Sequence, residues 1–205
     1  GDSSMTIKLN GSTAGSVALD APASTTGSAD ITFKLPVADG SANQLLKTDG
    51  SGQLSFDSTN VAINSSGIVT KSNHPAFTAS TNAEYNISSG NVLTYNNVIT
   101  NNGNHYNGST GVFTAPVSGV YYYAFDYYAQ SNNTARAVIQ KSTNGGSSFS
   151  TFRYGCRVSN PSNYVSASTV GVIALNANDQ IRLVAEDGTV HINNPFNFFS
   201  MHLIG

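Results

Sequence analysis

The sequence has no tryptophan and a single cysteine, Cys156, so it can form neither an intrachain disulfide nor a cysteine-based zinc site. Charge is equally scarce: Asp, Glu, Lys and Arg make up 10% of 205 residues, against about 25% in an average soluble domain. Glu84 and Glu186 are the only glutamates, which excludes a coiled coil or a long-helix protein, built from Ala, Glu, Lys and Leu in bulk. No apolar run approaches the roughly 20 residues of a membrane-spanning helix, so no membrane partner is expected. Nine basic residues face eleven acidic ones, for a net charge of −2. The basic residues do not cluster enough to neutralise phosphates, so nucleic acid is not an expected partner either. The start, Gly1-Asp2-Ser3-Ser4-Met5, lacks the basic and apolar stretches of a secretory signal. Met5 reads as a natural start and Gly1–Ser4 as an expression remnant.

Amides, hydroxyls and aromatic rings fill the space that charge leaves. Gly, Ser, Thr and Asn together form 44% of the chain, and 20 residues are Tyr or Phe. That mixture describes a turn-rich β protein with rings enough to build a core. The rings are unevenly placed. Only Phe33 and Phe56 precede residue 75, and the other 18 follow it, so a boundary is expected near Ser72-Asn73-His74-Pro75. This gives two regions, 5–74 and 75–205.

The first region holds short alternating segments: Thr6–Leu9, Ser16–Leu19, Asp30–Leu35, Gln53–Phe56 and Val61–Ile63. Asn10-Gly11, Asp39-Gly40, Asp49-Gly50 and Ser66-Gly67 punctuate them as turns. Each segment offers one apolar face that a lone chain would leave wet, so we expect an extended β-rich stalk completed by other chains. Residues 17–56 carry Ala21-Pro22-Ala23, Ile31-Thr32-Phe33-Lys34-Leu35-Pro36 and the run Asp39–Phe56 with its Asp-Gly and Gly-Gln-Leu elements. This order resembles a segment of bacteriophage tail-fibre and virion appendage proteins, with Phe56 where that pattern has Trp. The resemblance implies a structural protein at the virion surface, attached to other virion proteins through residues 5–74.

The second region has strand-like runs every 10–15 residues: Phe77–Ala79, Val92–Asn96, Gly111–Thr114, Gly119–Tyr128, Thr134–Ser142, Ser150–Val158, Tyr164–Leu175, Gln180–Glu186 and Phe196–Ile204. No window keeps a 3.6-residue period, so an antiparallel sandwich with almost no helix is expected. Two strands are apolar on both faces. Val120, Tyr122, Ala124, Asp126 and Tyr128 alternate with Tyr121, Tyr123, Phe125 and Tyr127. Phe196, Phe198, Ser200, His202 and Ile204 alternate with Asn197, Phe199, Met201 and Leu203. One face fills the sandwich; the other needs a second surface, and another copy of the chain is the simplest one. Core and interface residues are therefore expected among Tyr121, Tyr122, Tyr123, Phe125, Tyr127, Phe196, Phe198, Phe199, Met201 and Leu203.

Pro75–Ala79, Tyr95-Asn96-Asn97-Val98, Gly111-Val112-Phe113-Thr114-Ala115-Pro116-Val117-Ser118-Gly119-Val120-Tyr121, Leu175–Leu183 and Phe199–Ile204 together resemble the C1q globular domain across residues 75–205. Ala115 stands where some members have Cys, Asn178 where Gly is usual, and Met201-His202 in the closing strand. The resemblance implies an all-β, ten-strand jelly-roll sandwich of the C1q/TNF kind, assembled as a homotrimer around the two-faced strands. The small residues Ser166–Gly171 would suit close approach at the axis.

Chemistry is thinly represented. There is no Gly-x-Ser-x-Gly elbow and no His-Glu-x-x-His pair, so no enzyme is expected. No cofactor is expected either. The hard-oxygen candidates for calcium are Asp126, Asp179, Glu186 and Asp187, and His202 could supply one ligand per chain on a threefold axis. Cys156 reads as a small apolar strand residue. Strand alternation sends three loops rich in Asn and Ser to the end away from Pro75, carrying Gln130, Asn132, Asn133, Asn160, Asn163, Tyr164, His191, Asn193 and Asn194. Amides beside aromatics suit a glycan or protein on a host surface. The expectation is a tail-fibre or head-fibre tip that binds such a surface; the alternative is a non-adhesive decoration or cement protein on the capsid.

Overall fold

The computed structural model describes residues 7–11, 13–19, 22, 24–41, 44–56, 61–63, 66–71 and 73–204. Gly1–Thr6 lie outside these, as do Ala21, Ala23, Ala42 and Asn43 of the appendage-like segment and Ser72 at the expected boundary. The chain divides into two units that meet at Thr70–Lys71.

The first unit consists of hairpins set by turn chemistry. Strand β1 (Ile7–Asn10) pairs with β2 (Ser16–Leu19), closed by the Gly11 N–H donating to the Gly15 carbonyl at 2.9 Å. Strand β3 (Leu46–Thr48) pairs with β4 (Leu54–Phe56) around Asp49-Gly50. There the Asp49 carboxylate accepts the Ser51 and Gln53 N–H groups at 2.7 and 3.1 Å, and Gly50 supplies φ +83°. Strand β5 (Val61–Ile63) pairs with β6 (Val69–Lys71). The expected strand Asp30–Leu35 is reduced to one parallel bridge, Lys34 to Gln53. The Gln53 amide holds it by donating to the Lys34, Leu35 and Leu54 carbonyls. Of the residues before Pro75 whose burial is described, none is buried, and Ile7, Leu9, Leu19, Phe33, Leu35 and Val37 are all exposed.

The second unit is the sandwich. Its strands are β7 (Ala76–Ser80), β8 (Tyr85–Ser88), β9 (Asn97–Asn102), β10 (Tyr106–Asn107), β11 (Val112–Thr114), β12 (Gly119–Ala129), β13 (Thr134–Ser142), β14 (Ser150–Tyr154), β15 (Val158–Ser159), β16 (Val165–Leu175), β17 (Gln180–Ile192) and β18 (Phe199–Leu203). Without the two-residue strands β10 and β15, ten remain, and every named pairing is antiparallel. One sheet runs β16-β12-β18-β7-β9; the other runs β10-β11-β17-β13-β14. Strand β17 serves both. Its first part lies on β13, and beyond Gly188 it pairs with β8 and meets β12 at the Tyr128–His191 pair. Gly188 makes the crossing possible: its φ is +63°, and a Cβ there would stand 1.8 Å from the Thr134 carbonyl oxygen.

Aromatic rings fill the space between the sheets. Tyr121, Tyr123, Phe125 and Tyr127 from β12 and Phe199 and Met201 from β18 are buried with Phe77, Tyr95, Tyr106 and Phe113. Phe77 stacks on Tyr106 at 4.2 Å and meets Phe199 edge-on at 4.9 Å. Four of the core tyrosines donate to carbonyls: Tyr95 to that of Asp126, Tyr106 to that of Tyr95, Tyr121 to that of Val117, and Tyr127 to that of Cys156. Burial pushes the Tyr127 hydroxyl up to about 12.

The structure thus sorts the ten expected core and interface residues. Tyr121, Tyr123, Phe125, Tyr127, Phe199 and Met201 belong to the interior of one chain, so they cannot form a surface between chains. Tyr122 and Leu203 are half-buried, and Phe196 and Phe198 are exposed. Phe196–Phe198 is no strand but the turn before β18. The expected strand Val92–Asn96 is a connector with Leu93 and Tyr95 buried, and the strand follows it at β9. Cys156 is exposed between β14 and β15 rather than packed as a strand residue, its thiol 3.4 Å from the Ser168 carbonyl oxygen.

Candidate functional site

Strand β12 runs from Gly119, beside the chain's return at Ile204, to Ala129 at the other end of the sandwich, roughly 35 Å away at the usual rise per residue. Three segments meet at that far end, and none of 127–134, 159–166 and 188–198 contains Asp, Glu, Lys or Arg. The Gln130–Asn133 and Asn160–Asn163 loops are stitched together: the Asn132 N–H donates to the Pro161 carbonyl at 2.8 Å and the Asn160 N–H to that of Asn133 at 2.9 Å. Asn132 and Asn160 sit at φ +58° and +44°, which Asn tolerates better than other side chains. The Asn133 side chain caps the Thr134 N–H. These residues, with the exposed Asn163 and Asn194, build the rim.

Behind the rim the structure gathers a different set. Tyr128, Tyr164, His191, Asn193 and Phe196 line a pocket of about 280 Å³. Tyr128 is the hub: Tyr164 and Phe196 meet it edge-on at 6.3 and 6.1 Å, and the His191 ring lies 6.3 Å away. Tyr164 and Phe196 are 55% and 61% exposed, whereas His191 is 1% exposed and lies at the base. The His191 Nδ1 lies 3.1 Å from the Gln130 Nε2 and 2.9 Å from the Asn86 Oδ1, and its Nε2 is 3.5 Å from a Glu84 carboxylate oxygen. Burial lowers the imidazole pKa below its usual 6.5, with Glu84 pulling weakly the other way. The Gln130 amide also donates to the Tyr164 hydroxyl at 3.3 Å.

The Phe196 wall is braced from below. The Phe196 and Asn197 N–H groups both donate to the Asn193 carbonyl at 3.0 Å. The Asn197 side chain accepts the Asn193 N–H and donates to Asp126, whose carboxylate also accepts the Phe198 N–H at 2.8 Å. Burial raises the Asp126 pKa, and those two donors partly offset it. Asp126 therefore serves as a brace for this turn.

The other three oxygen candidates are each held by a cation: Asp179 by Lys141 at 2.7 Å, Glu186 by Arg136 at 2.6 Å and Asp187 by Arg157 at 2.5 Å. Among the described residues no three His, Cys, Asp or Glu side chains converge on one point. His202 projects from the outer face of β18, its ring 5.0 Å from that of Tyr122. Of the nine loop residues expected from the sequence, the structure brings Gln130, Tyr164, His191 and Asn193 together. Tyr128, Phe196, Asn86 and Glu84 complete the site. Sequence reading assigned the first two to strand faces and did not see β8, which carries Asn86. The neutrality of all three segments was the signal that could have found the site.

Larger hollows lie elsewhere among the described residues. One, of about 550 Å³, is lined by Pro36, Val37, Asp39 and Phe56; a second, of about 490 Å³, by His105, Asn107, Phe149 and Gln180; a third, of about 430 Å³, by Leu9, Asn10, Gly11 and Ser16. None has a buried titratable group in its lining.

Residues 76–204 match the C1q domain family. Among solved structures, the globular domain of zebrafish complement 1qA protein aligns at a TM-score of 0.53 with 18% identity, over 64% of this chain and 98% of that one. Eiger TNF from S. frugiperda aligns at 0.54 with 14% identity, over 64% and 93%. Murine APRIL at pH 5.0 aligns at 0.53 with 14% identity, over 64% and 99%. These likenesses establish a shared jelly-roll fold.

Proposed function

The chain belongs to the C1q domain family through residues 76–204, and on that premise we propose that it is a homotrimeric binding module carried on a bacteriophage virion appendage. The observation that carries the trimer is the outer face of the β16-β12-β18 sheet. Val170 and Val172 of β16 are 64% and 56% exposed there, next to Ala124 and Tyr122 in register. Ser200 and His202 of β18 continue the rows. An apolar strip of this kind on a sheet that no helix of the described residues covers favours burial against copies of itself. The sequence resemblance to the C1q domain implies the same assembly.

The appendage reading rests on the ordered motif in residues 17–56 and on the wet apolar side chains of the first unit. Isolated two-stranded hairpins are marginal in water, so hairpins that leave side chains such as Ile7, Leu9, Leu19 and Leu46 exposed favour attachment to other chains. The loops at the end away from Pro75 supply the adhesive surface. Three weak sites on one trimer gain avidity through linkage. The test uses labelled full-length chain and a version lacking residues 5–74, each offered host cells and fibre-stripped virions. The full chain is expected on both, the shortened one on cells alone. Binding to virions without any to cells would favour the decoration-protein alternative.

A further inference from the structure

We propose that the pocket of Tyr128, Tyr164, His191, Asn193 and Phe196 binds one ring of a neutral saccharide; the proposal deepens the adhesive reading above and rests on it. Size limits the occupant first. A volume of about 280 Å³ lies at the lower edge of small-molecule sites, roughly 300–1,000 Å³, which suits a single sugar ring and not an extended peptide.

Charge limits it next. No carboxylate, ammonium or guanidinium lines the pocket, and the three segments around it carry none. Two acids lie nearby without lining it: Glu84 faces the His191 Nε2, and Asp126 is taken up beneath the Phe196 turn by Asn197 and the Phe198 N–H. An acidic sugar or a phosphate would find no cation, and a quaternary ammonium would find rings but no carboxylate partner. A neutral polyol needs neither. Its C–H faces lie against exposed aromatic planes, here Tyr164 and Phe196, and its hydroxyls seek amides, phenols and imidazole. The Asn193 side chain and the Tyr164 hydroxyl supply those groups, over a floor closed by His191, whose nitrogens are turned to Gln130, Asn86 and Glu84.

Preorganisation points the same way. The Phe196 turn is fixed by Asp126 and Asn197, Tyr164 is held by Gln130, and both rings abut Tyr128. Little side-chain freedom remains to be lost on binding. A simple apolar core needs no buried imidazole ringed by Gln130, Asn86 and Glu84, whereas a recognition floor does.

The experiment offers full-length chain to beads displaying D-galactose, D-glucose, D-mannose or N-acetyl-D-glucosamine, alongside sialic-acid and choline beads and host cells. Retention on at least one neutral-sugar bead is expected, competed by the same free sugar. Tyr164→Ala and Phe196→Ala should each weaken it about tenfold, with oligomeric mass and urea midpoint unchanged. Attachment to cells with no retention on neutral sugars overturns the saccharide site and leaves adhesion standing. No attachment to either overturns both. Retention confined to sialic acid or choline, or undiminished in both variants, also overturns the site. So does a fall in oligomeric mass in Tyr164→Ala, because the pocket would then be a contact between copies.

Discussion

At His191 burial outweighs a neighbouring carboxylate. Its ring is nearly sealed, so the imidazolium is disfavoured and the folded pKa lies below 6.5. The unfolded chain then binds more protons than the folded one in mildly acidic solution. Stability is therefore full above pH 6.5 and is lost as pH falls toward and through the folded value. The titratable groups facing the ring are Glu84, Tyr128 and Tyr164. Thermal melts from pH 7.5 to 5 should show a falling midpoint in the wild type and a flatter profile in His191→Gln; identical profiles would remove His191 as the cause. The ring core makes a second residue-scale case. Phe199 touches Phe77, Tyr95, Tyr106 and Phe125, so Phe199→Ala should cost about 3–5 kcal/mol. All ten tyrosines lie between residues 85 and 164, so tyrosine fluorescence in urea reads this unit. At this scale the sequence was readable where the backbone demands a type of residue. Asn178, standing where the C1q pattern has glycine, sits at φ +71° in the turn that links β16 to β17. Asp126 was not readable. Its environment comes from a turn some seventy residues further on, and nothing local distinguishes a calcium ligand from a brace.

Strand β17 ties the two sheets to the pocket, and its weak point is one residue. Any side chain at Gly188 would need φ +63° and would run into the Thr134 carbonyl. Gly188→Ala should therefore destabilise the unit by more than the roughly 1–3 kcal/mol of backbone strain alone. Because His191 follows three residues later, the variant should also lose pocket binding in proportion. A urea midpoint within error of wild type would refute this account of the crossing. Long strands were legible for a related reason. Thr134–Ser142 matches β13 end to end, and Gly119–Tyr128 misses β12 by one residue, because alternation over nine or more positions is hard to mistake. Some short strands were legible too, Ser16–Leu19 as β2 and Val61–Ile63 as β5, but β8 and β9 were not. Strand β8 has four residues and owes its state to pairing with β17, and β9 is rich in Asn, which reads as turn. Val92–Asn96 was misread because its buried Leu93 and Tyr95 alternate as a strand would. Its backbone instead reaches across to Leu183 and Val184 through one hydrogen bond and one bridge.

For the whole molecule, the proposed trimer makes low charge a matter of hidden surface. The outer face of β16-β12-β18 is apolar or small along the rows of Val170 and Val172, and the only titratable groups in those rows are Tyr122 and His202. Within one chain Val170 and Val172 are exposed, so a carboxylate at either site should change folding by no more than about 0.5 kcal/mol. In a trimer around this face the same carboxylate appears three times near one axis, desolvated and among like charges, which is strongly unfavourable. Val170→Glu combined with Val172→Glu should leave the tyrosine-monitored urea midpoint near wild type. Light scattering at micromolar concentration should fall from three times the 21.4 kDa chain mass toward a single chain. Multivalent retention on sugar-bearing beads should fall with it, while a single pocket's affinity for free sugar should not change. A double variant that keeps the wild-type mass would place any assembly on another face, and a wild type already monomeric would remove avidity from the mechanism.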